Sequence, residues 1–320
     1  MSSFKHIISA FLALLLCSLT SAYSLVHNYD YTNWYSSFNF ENQADPTNGT
    51  VDYISLEEAQ SSGLTRIIDN QVYMGVENSS IISAPNGRKS IWIESKDSFL
   101  HGLLIGDFAH IPGGTCGTWP GFWTIRNDLN APYGEVDILE SYNDLTTNFM
   151  TLHTSESCSF NAPADTYLGT LNQQDISCSL DGPGCSAKGP AGSYGAPFNQ
   201  NGGGVYALEW TSSVMKIFFF PRNAIPADIT SGNPDPSTWG LPTANFDSQY
   251  GNCDIDAAFP PQTIYFDTTF CGAEAGGKGW TDWSGCAAST KISTCEEFVR
   301  TQPQAFDEAY WLINSVKVYQ

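Results

Sequence analysis

Three carboxylates fall within six consecutive residues: Glu135, Asp137 and Glu140. They lie in the run Tyr133-Gly134-Glu135-Val136-Asp137-Ile138-Leu139-Glu140-Ser141-Tyr142-Asn143. Val136, Ile138 and Leu139 between them are apolar, so the run reads as a buried strand and not as a solvated acidic loop. Along a regular strand, alternate side chains share a face. Glu135 and Asp137 then lie together and Glu140 points away. One β-bulge between Asp137 and Glu140 brings all three to the same face, and bulges concentrate beside active sites. Three unpaired charges cannot sit in a dry core, so this face must floor a polar cleft. Paired carboxylates in a cleft suit glycosidic bond hydrolysis. Calcium is the competing use of clustered carboxylates. The two large apolar residues just before Glu140 argue against a dedicated metal loop, and neither metal nor cofactor is expected.

The neighbouring segments must hold that strand in place. A turn near residues 143–146 returns the chain along Phe149–Thr154, and a hairpin centred near residue 145 puts His153 roughly opposite Asp137. Further short apolar or alternating runs recur at 71–77, 90–95, 103–108, 122–126, 204–210, 215–220, 263–266 and 313–319. Gly, Asn, Pro and Asp punctuate them, the signature of a β-sandwich. Helical signal is slight: Leu56–Ser61 reads as a turn and Thr294–Gln302 as a short helix. The stretch 155–204, rich in Gly, Ser, Pro and Cys, reads as a disulfide-pinned excursion on the cleft rim.

Aromatic residues crowd the same region. Trp119-Pro120-Gly121-Phe122-Trp123 precedes the acid strand, and Trp280 and Trp283 occupy a Gly-rich loop. An indole face stacks on the C–H face of a sugar ring, although about half of such residues are expected in the core instead. Trp119, Trp123, His153 and Trp280 are the candidate substrate-binding residues.

The chain opens with Lys5 and His6, an apolar stretch from Ile7 to Leu16, and Thr20-Ser21-Ala22. That is the pattern of a secretory signal peptide over residues 1–22, leaving one domain at 23–320. No second long apolar run and no hydrophobic tail follow, so neither a membrane span nor a lipid anchor is expected. Cys17 leaves with the signal. The other eight cysteines, scattered without zinc spacing, read as disulfides of unknown pairing in a secreted, extracellular protein. Asn48-Gly49-Thr50 and Asn78-Ser79-Ser80 are N-glycosylation acceptors in a eukaryotic source. Thirteen Lys and Arg against 33 Asp and Glu give a formal net charge of −20. That disfavours nucleic acid and anionic membranes and suits a neutral polymer as partner.

The motif Glu135-Val136-Asp137-Ile138-Leu139-Glu140 resembles that of glycoside hydrolase family 16, in particular the secreted fungal laminarinase-like endo-1,3(4)-β-glucanases. Supporting matches run along nearly the whole mature chain: Gly117–Trp123, Thr151–Thr154, Gly202–Trp210, Phe219–Arg222, Asp267–Gly272 and Asn314–Tyr319. The resemblance implies an all-β fold, a curved jelly-roll sandwich with a β-glucan cleft on its concave face; a monomer is expected. It implies Glu135 as nucleophile, Glu140 as acid/base, and Asp137 assisting the nucleophile. Two positions depart from the pattern: Gly121 where the family usually has Ala, and Trp92 where it often has Arg. The second exchanges a hydrogen-bonding cation for an aromatic surface. Two rivals use the same sandwich. A lectin-like glucan-binding module would not need three carboxylates. A cell-wall transglycosylase usually shows the unbulged motif and often a lipid-anchor tail.

Overall fold

The computed structural model describes residues 23–126, 132–172 and 175–320. The signal-peptide reading of residues 1–22, with Cys17, lies outside them. Two large antiparallel sheets face each other. The cleft sheet runs in the order Thr170–Leu171, Cys185–Lys188, Phe149–Thr154, Gly134–Glu140, Thr118–Ile125, Gln262–Phe270, Trp92–Phe99 and Phe38–Phe40. The opposing sheet runs Ala244–Asp247, Val214–Pro221, Gly204–Trp210, Gly102–His110, Tyr310–Tyr319, Gln71–Gly75 and Thr65–Ile68, with Leu25–Tyr29 also paired to Tyr310–Tyr319. This is the jelly-roll sandwich expected from the punctuated short strands.

Alternation along each cleft-sheet strand divides core from cleft. Phe122, Val136, Leu152, Ile264 and Phe266 point inward and are fully buried. Phe108 and Trp311 of the opposing sheet meet them, with Phe108 ring centroids 5.2 Å from Phe122 and Trp311 5.3 Å from Phe266. The intervening residues Trp119, Trp123, Glu135, Asp137, Thr151, His153, Tyr265 and Asp267 all point to the other side, into the cleft.

The elements differ from the sequence expectation at their ends. The strand expected at 122–126 starts at Thr118, so Trp119 and Trp123 both lie on it and share its cleft face. Leu56–Ser61 is an α-helix, capped by Ser55 accepting from the Glu58 N–H. The helix near the C-terminus spans Cys295–Thr301. The stretch 155–204 is not a bare excursion, because Thr170–Leu171 and Cys185–Lys188 widen the cleft sheet by two strands. All eight cysteines among the described residues pair: Cys116–Cys286, Cys158–Cys253, Cys178–Cys185 and Cys271–Cys295. Asn48 and Asn78 of the glycosylation sequons are exposed. Among the described residues, no helix is long and apolar enough to cross a membrane.

Candidate active site

The bulge expected from the acid spacing is present. Against the return strand Phe149–Thr154, the register runs Asp137 to Thr151 and then Glu140 to Phe149, so two residues oppose one. Against Thr118–Ile125 the slip falls between Asp137 and Leu139. Glu135, Asp137 and Glu140 therefore all line one cleft of about 1040 Å³. A bulge leaves ladder groups unpaired, and Asn148 supplies the missing partners. Its fully buried side chain accepts from the Glu140 N–H at 2.8 Å and donates to the Ile138 carbonyl at 2.8 Å. The Ser193 hydroxyl accepts from the Asn148 N–H at 2.9 Å. No sequence signal marked Asn148, because Asn in a turn is commonplace.

Each acid has its own surroundings. Glu140 Oε1 accepts from Trp119 Nε1 at 2.8 Å. Desolvation at the cleft floor pushes Glu140 up to about 8, with Glu274, Glu135 and Asp267 adding repulsion and the indole N–H pulling the other way. Asp137, 4% exposed, is driven well above the carboxylate range by burial and then by Glu135 and Glu140. Its charged form is disfavoured there, and it shares a hydrogen bond with Glu135. The Tyr133 hydroxyl donates to Glu135 Oε2, and burial beside that carboxylate pushes the phenol far up.

His153 pairs with Glu135 across the hairpin, one step away from the expected Asp137, because the hairpin is centred slightly before residue 145 and the bulge absorbs one further residue. Its Nε2 still lies 3.6 Å from Asp137 Oδ2. Burial lowers the His153 pKa, against a smaller opposing effect of Glu135. Burial thus works against the charged form of both partners of this contact. Glu135, Asp137 and His153 bring ligand atoms within 4.8 Å of one another. Cys116, Asp144 and Cys286 also cluster, but the two cysteines are joined as a disulfide.

A fourth acid lies in one of the supporting matches but carried no site role there. Asp267 lines the cleft, accepts from Trp123 Nε1 at 2.9 Å and from the Tyr53 hydroxyl at 3.2 Å, and is raised by burial to about 7. Glu140 and Asp267 both pair with Gly121, from opposite sides of its strand. A methyl at Gly121 would come within 2.8 Å of Trp123 Cδ1 and 3.0 Å of Asp267 Oδ1. The glycine therefore leaves room for the Trp123 indole and its bond to Asp267, and an alanine here would force one of them to shift. Trp92 lies in the same cleft wall, its ring centroid 5.3 Å from Tyr53 and 6.4 Å from Tyr265. Tyr265 in turn stacks on Trp123 at 4.6 Å.

Trp119, Trp123 and His153 line the cleft as expected, but Trp280 does not. It is 1% exposed, donates its Nε1–H to the Ile292 carbonyl at 3.0 Å and packs on Phe298 at 5.3 Å. It is a core residue of the disulfide-tied lobe that contains Cys271, Cys286 and Cys295. The expectation of a substrate-binding role for Trp280 is corrected accordingly: no face is left for a sugar. The exposed aromatic of that loop is Trp283.

The chain has close relatives. It is 43% identical over 307 residues to the protein named "Probable endo-1,3(4)-beta-glucanase" of Aspergillus clavatus, covering 94% of this chain and 47% of that one. It thus spans about half the length of the curated relatives it matches. Among solved structures, an elongating GH family 16 β-1,3-glucosyltransferase superposes with TM-score 0.87 at 42% identity, covering 93% of this chain and all of the other. GH16 Laminarinase 16A from Phanerochaete chrysosporium superposes with TM-score 0.86 at 36% identity, covering 94% and 100%. Residues 38–319 match the XgeA-like catalytic GH16 domain, and the chain belongs to glycoside hydrolase family 16.

Proposed function

We propose that this chain is a secreted endo-1,3(4)-β-glucanase that cleaves laminarin or mixed-linkage β-glucan with retention of configuration. The observation that carries this reading is the bulge, which sets a nucleophile candidate and a raised-pKa acid on one cleft face. Glu135 attacks the anomeric carbon as Glu140 gives its proton to the departing glycosidic oxygen. The resulting glycosyl-enzyme is then attacked by water, whose proton passes to Glu140, and Glu135 leaves. Asp137 shares a hydrogen bond with Glu135, and the Tyr133 hydroxyl points at the same carboxylate. Both contacts fix the orientation of the nucleophile. Trp119 and Trp123 offer indole surface to the sugar, with His153 beside the nucleophile. The charged, apolar, small-residue start of the chain and the four disulfides support secretion.

A second reading, glucosyl transfer, is supported by the name and close superposition of the elongating glucosyltransferase. It uses the same glycosyl-enzyme, with a sugar hydroxyl replacing water. Products longer than the substrate at high oligosaccharide concentration would identify transfer.

Azide rescue tests the roles. Glu135→Ala leaves room for azide at the anomeric carbon, so an activated aryl glucoside should yield the α-azide. Glu140→Ala keeps the nucleophile, and azide intercepting the glycosyl-enzyme should yield the β-azide. The opposite pattern would exchange the two roles, and no rescue in either variant would remove the hydrolase reading.

A further inference from the structure

Trp283 is 53% exposed, while Trp280, three residues earlier, is sealed in the core. A lone exposed aromatic is ordinary on a protein surface. This one sits on an anchored backbone and touches the cleft-lining Tyr142. It ends the π-helical turn Gly279–Trp283. The Gly279 carbonyl accepts from the Ser284 N–H at 3.2 Å and from its hydroxyl at 2.6 Å. Cys286, just beyond, is bonded to Cys116. From the other side, the buried Asn143 donates to the carbonyls of Ala275 at 3.1 Å and Gly279 at 3.2 Å. Asn143 closes the run that carries Glu135 and Glu140. The indole is therefore displayed on a base fastened to the catalytic strand.

Its neighbours extend the cleft outward. Tyr142 and Phe149 line the cleft and stack, with centroids 6.3 Å apart and planes within 7°. The Trp283 ring lies 6.4 Å from Tyr142, tilted by 55°. Glu274, another cleft-lining residue, repels the charged forms of both Glu140 and Tyr142 and so stands beside them. Across the sheet, Phe149 lies on one flank of the acid strand, and Trp123, Tyr265 and Trp92 lie on the other. The ledge Phe149–Tyr142–Trp283 thus continues the cleft past Glu140, away from the aromatic wall of Trp92.

We propose that Trp283 is the outer stacking platform of a subsite for the leaving-group half of a β-glucan chain, the half that departs with the Glu140 proton. The proposal rests on the glucanase reading above. The ligand is a neutral pyranose whose C–H face covers the indole, while Glu274 accepts from a hydroxyl. The same ledge receives an acceptor sugar. Its hydroxyl oxygen forms the new bond to the anomeric carbon, the bond from that carbon to Glu135 breaks, and the hydroxyl proton goes to Glu140. A platform fixed before the sugar arrives loses little conformational freedom on binding.

The test compares the full chain with Trp283→Ala and Trp283→Phe on two substrates. Laminariheptaose is long enough to reach the platform. An aryl β-laminaribioside carries no sugar on the leaving side. In Trp283→Ala, kcat/KM for the heptaose should fall roughly tenfold relative to the aryl substrate, and the share of products longer than the heptaose should fall with it. Trp283→Phe should restore most of the ratio. A ratio within twofold of wild type in Trp283→Ala, or an equal loss on both substrates, overturns the proposal. A wild-type chain that cut neither substrate would sink the glucanase reading instead. Calorimetric binding of laminariheptaose would then decide the platform separately: about tenfold weaker binding to Trp283→Ala supports it, and equal binding overturns it.

Discussion

Glu140 and Asp267 are built alike and were not equally visible. Both line the cleft, both pair with Gly121, and each accepts an indole N–H from the same strand, Glu140 from Trp119 and Asp267 from Trp123. Burial raises both, to about 8 and about 7. The difference lies in the backbone. Asp267 faces the cleft by plain alternation, between Tyr265 and Thr269 on a strand in regular register with Thr118–Ile125. Glu140 reaches it only through the bulge, which needs the Asn148 side chain to satisfy Ile138 and Glu140. A site that depends on an irregularity is specified by several residues at once, and one that depends on alternation is not.

The comparison predicts unequal losses. Glu140→Gln keeps size and removes the transferable proton, so hydrolysis of laminarin should fall by about 10³-fold or more. Circular dichroism should remain that of the wild type. Full turnover in a folded Glu140→Gln protein would end its assignment as the acid. Asn148→Ala strips the bulge of its partners, and a shift of about 1 Å at the acid should cost roughly 10²-fold in kcat. An unchanged kcat would mean that the bulge holds itself. Asp267→Asn disturbs the bonds accepted from Trp123 and Tyr53 and touches no reacting atom in the proposed chemistry, so kcat/KM should drop only about tenfold. A loss as large as that of Glu140→Gln would make Asp267 a member of the catalytic set.

The same contrast explains what could be read in the sequence. Three acids at a spacing that no regular strand can place on one face demand a bulge, so Glu135, Asp137 and Glu140 were legible without coordinates. The sandwich was legible from punctuated alternation. Asp267 carried no such irregularity: one acid on an alternating strand is indistinguishable from a surface residue. Tyr133, Glu274 and Asn148 were equally silent, because each acts through a contact made by the fold. Trp280 and Trp283 show the limit of composition. Both lie in a Gly-rich loop, and only the π-helical turn, which rotates one inward toward Phe298 and the other outward toward Tyr142, tells core from surface.

The smallest expected effect separates the two acids by sign. A hydrogen bond donated to a carboxylate favours its ionised form, so the Trp119 N–H holds the Glu140 pKa below what burial alone would set. Trp119→Phe removes that donor and the pKa should rise. Because the acid works protonated, the alkaline limb of kcat should then move to higher pH, by less than about one unit. Trp123→Phe does the same to Asp267, which then stays neutral to higher pH. A neutral Asp267 no longer repels charge on Glu140, one of the smaller influences raising it. The Glu140 pKa should therefore fall slightly, and the alkaline limb should move to lower pH. The two substitutions share a strand, a face and a chemistry, and they should displace one limb in opposite directions. Shifts of the same sign in a pH profile of kcat would show that Asp267 does not act on Glu140 through charge, and that the likeness of the two pairs is one of geometry alone.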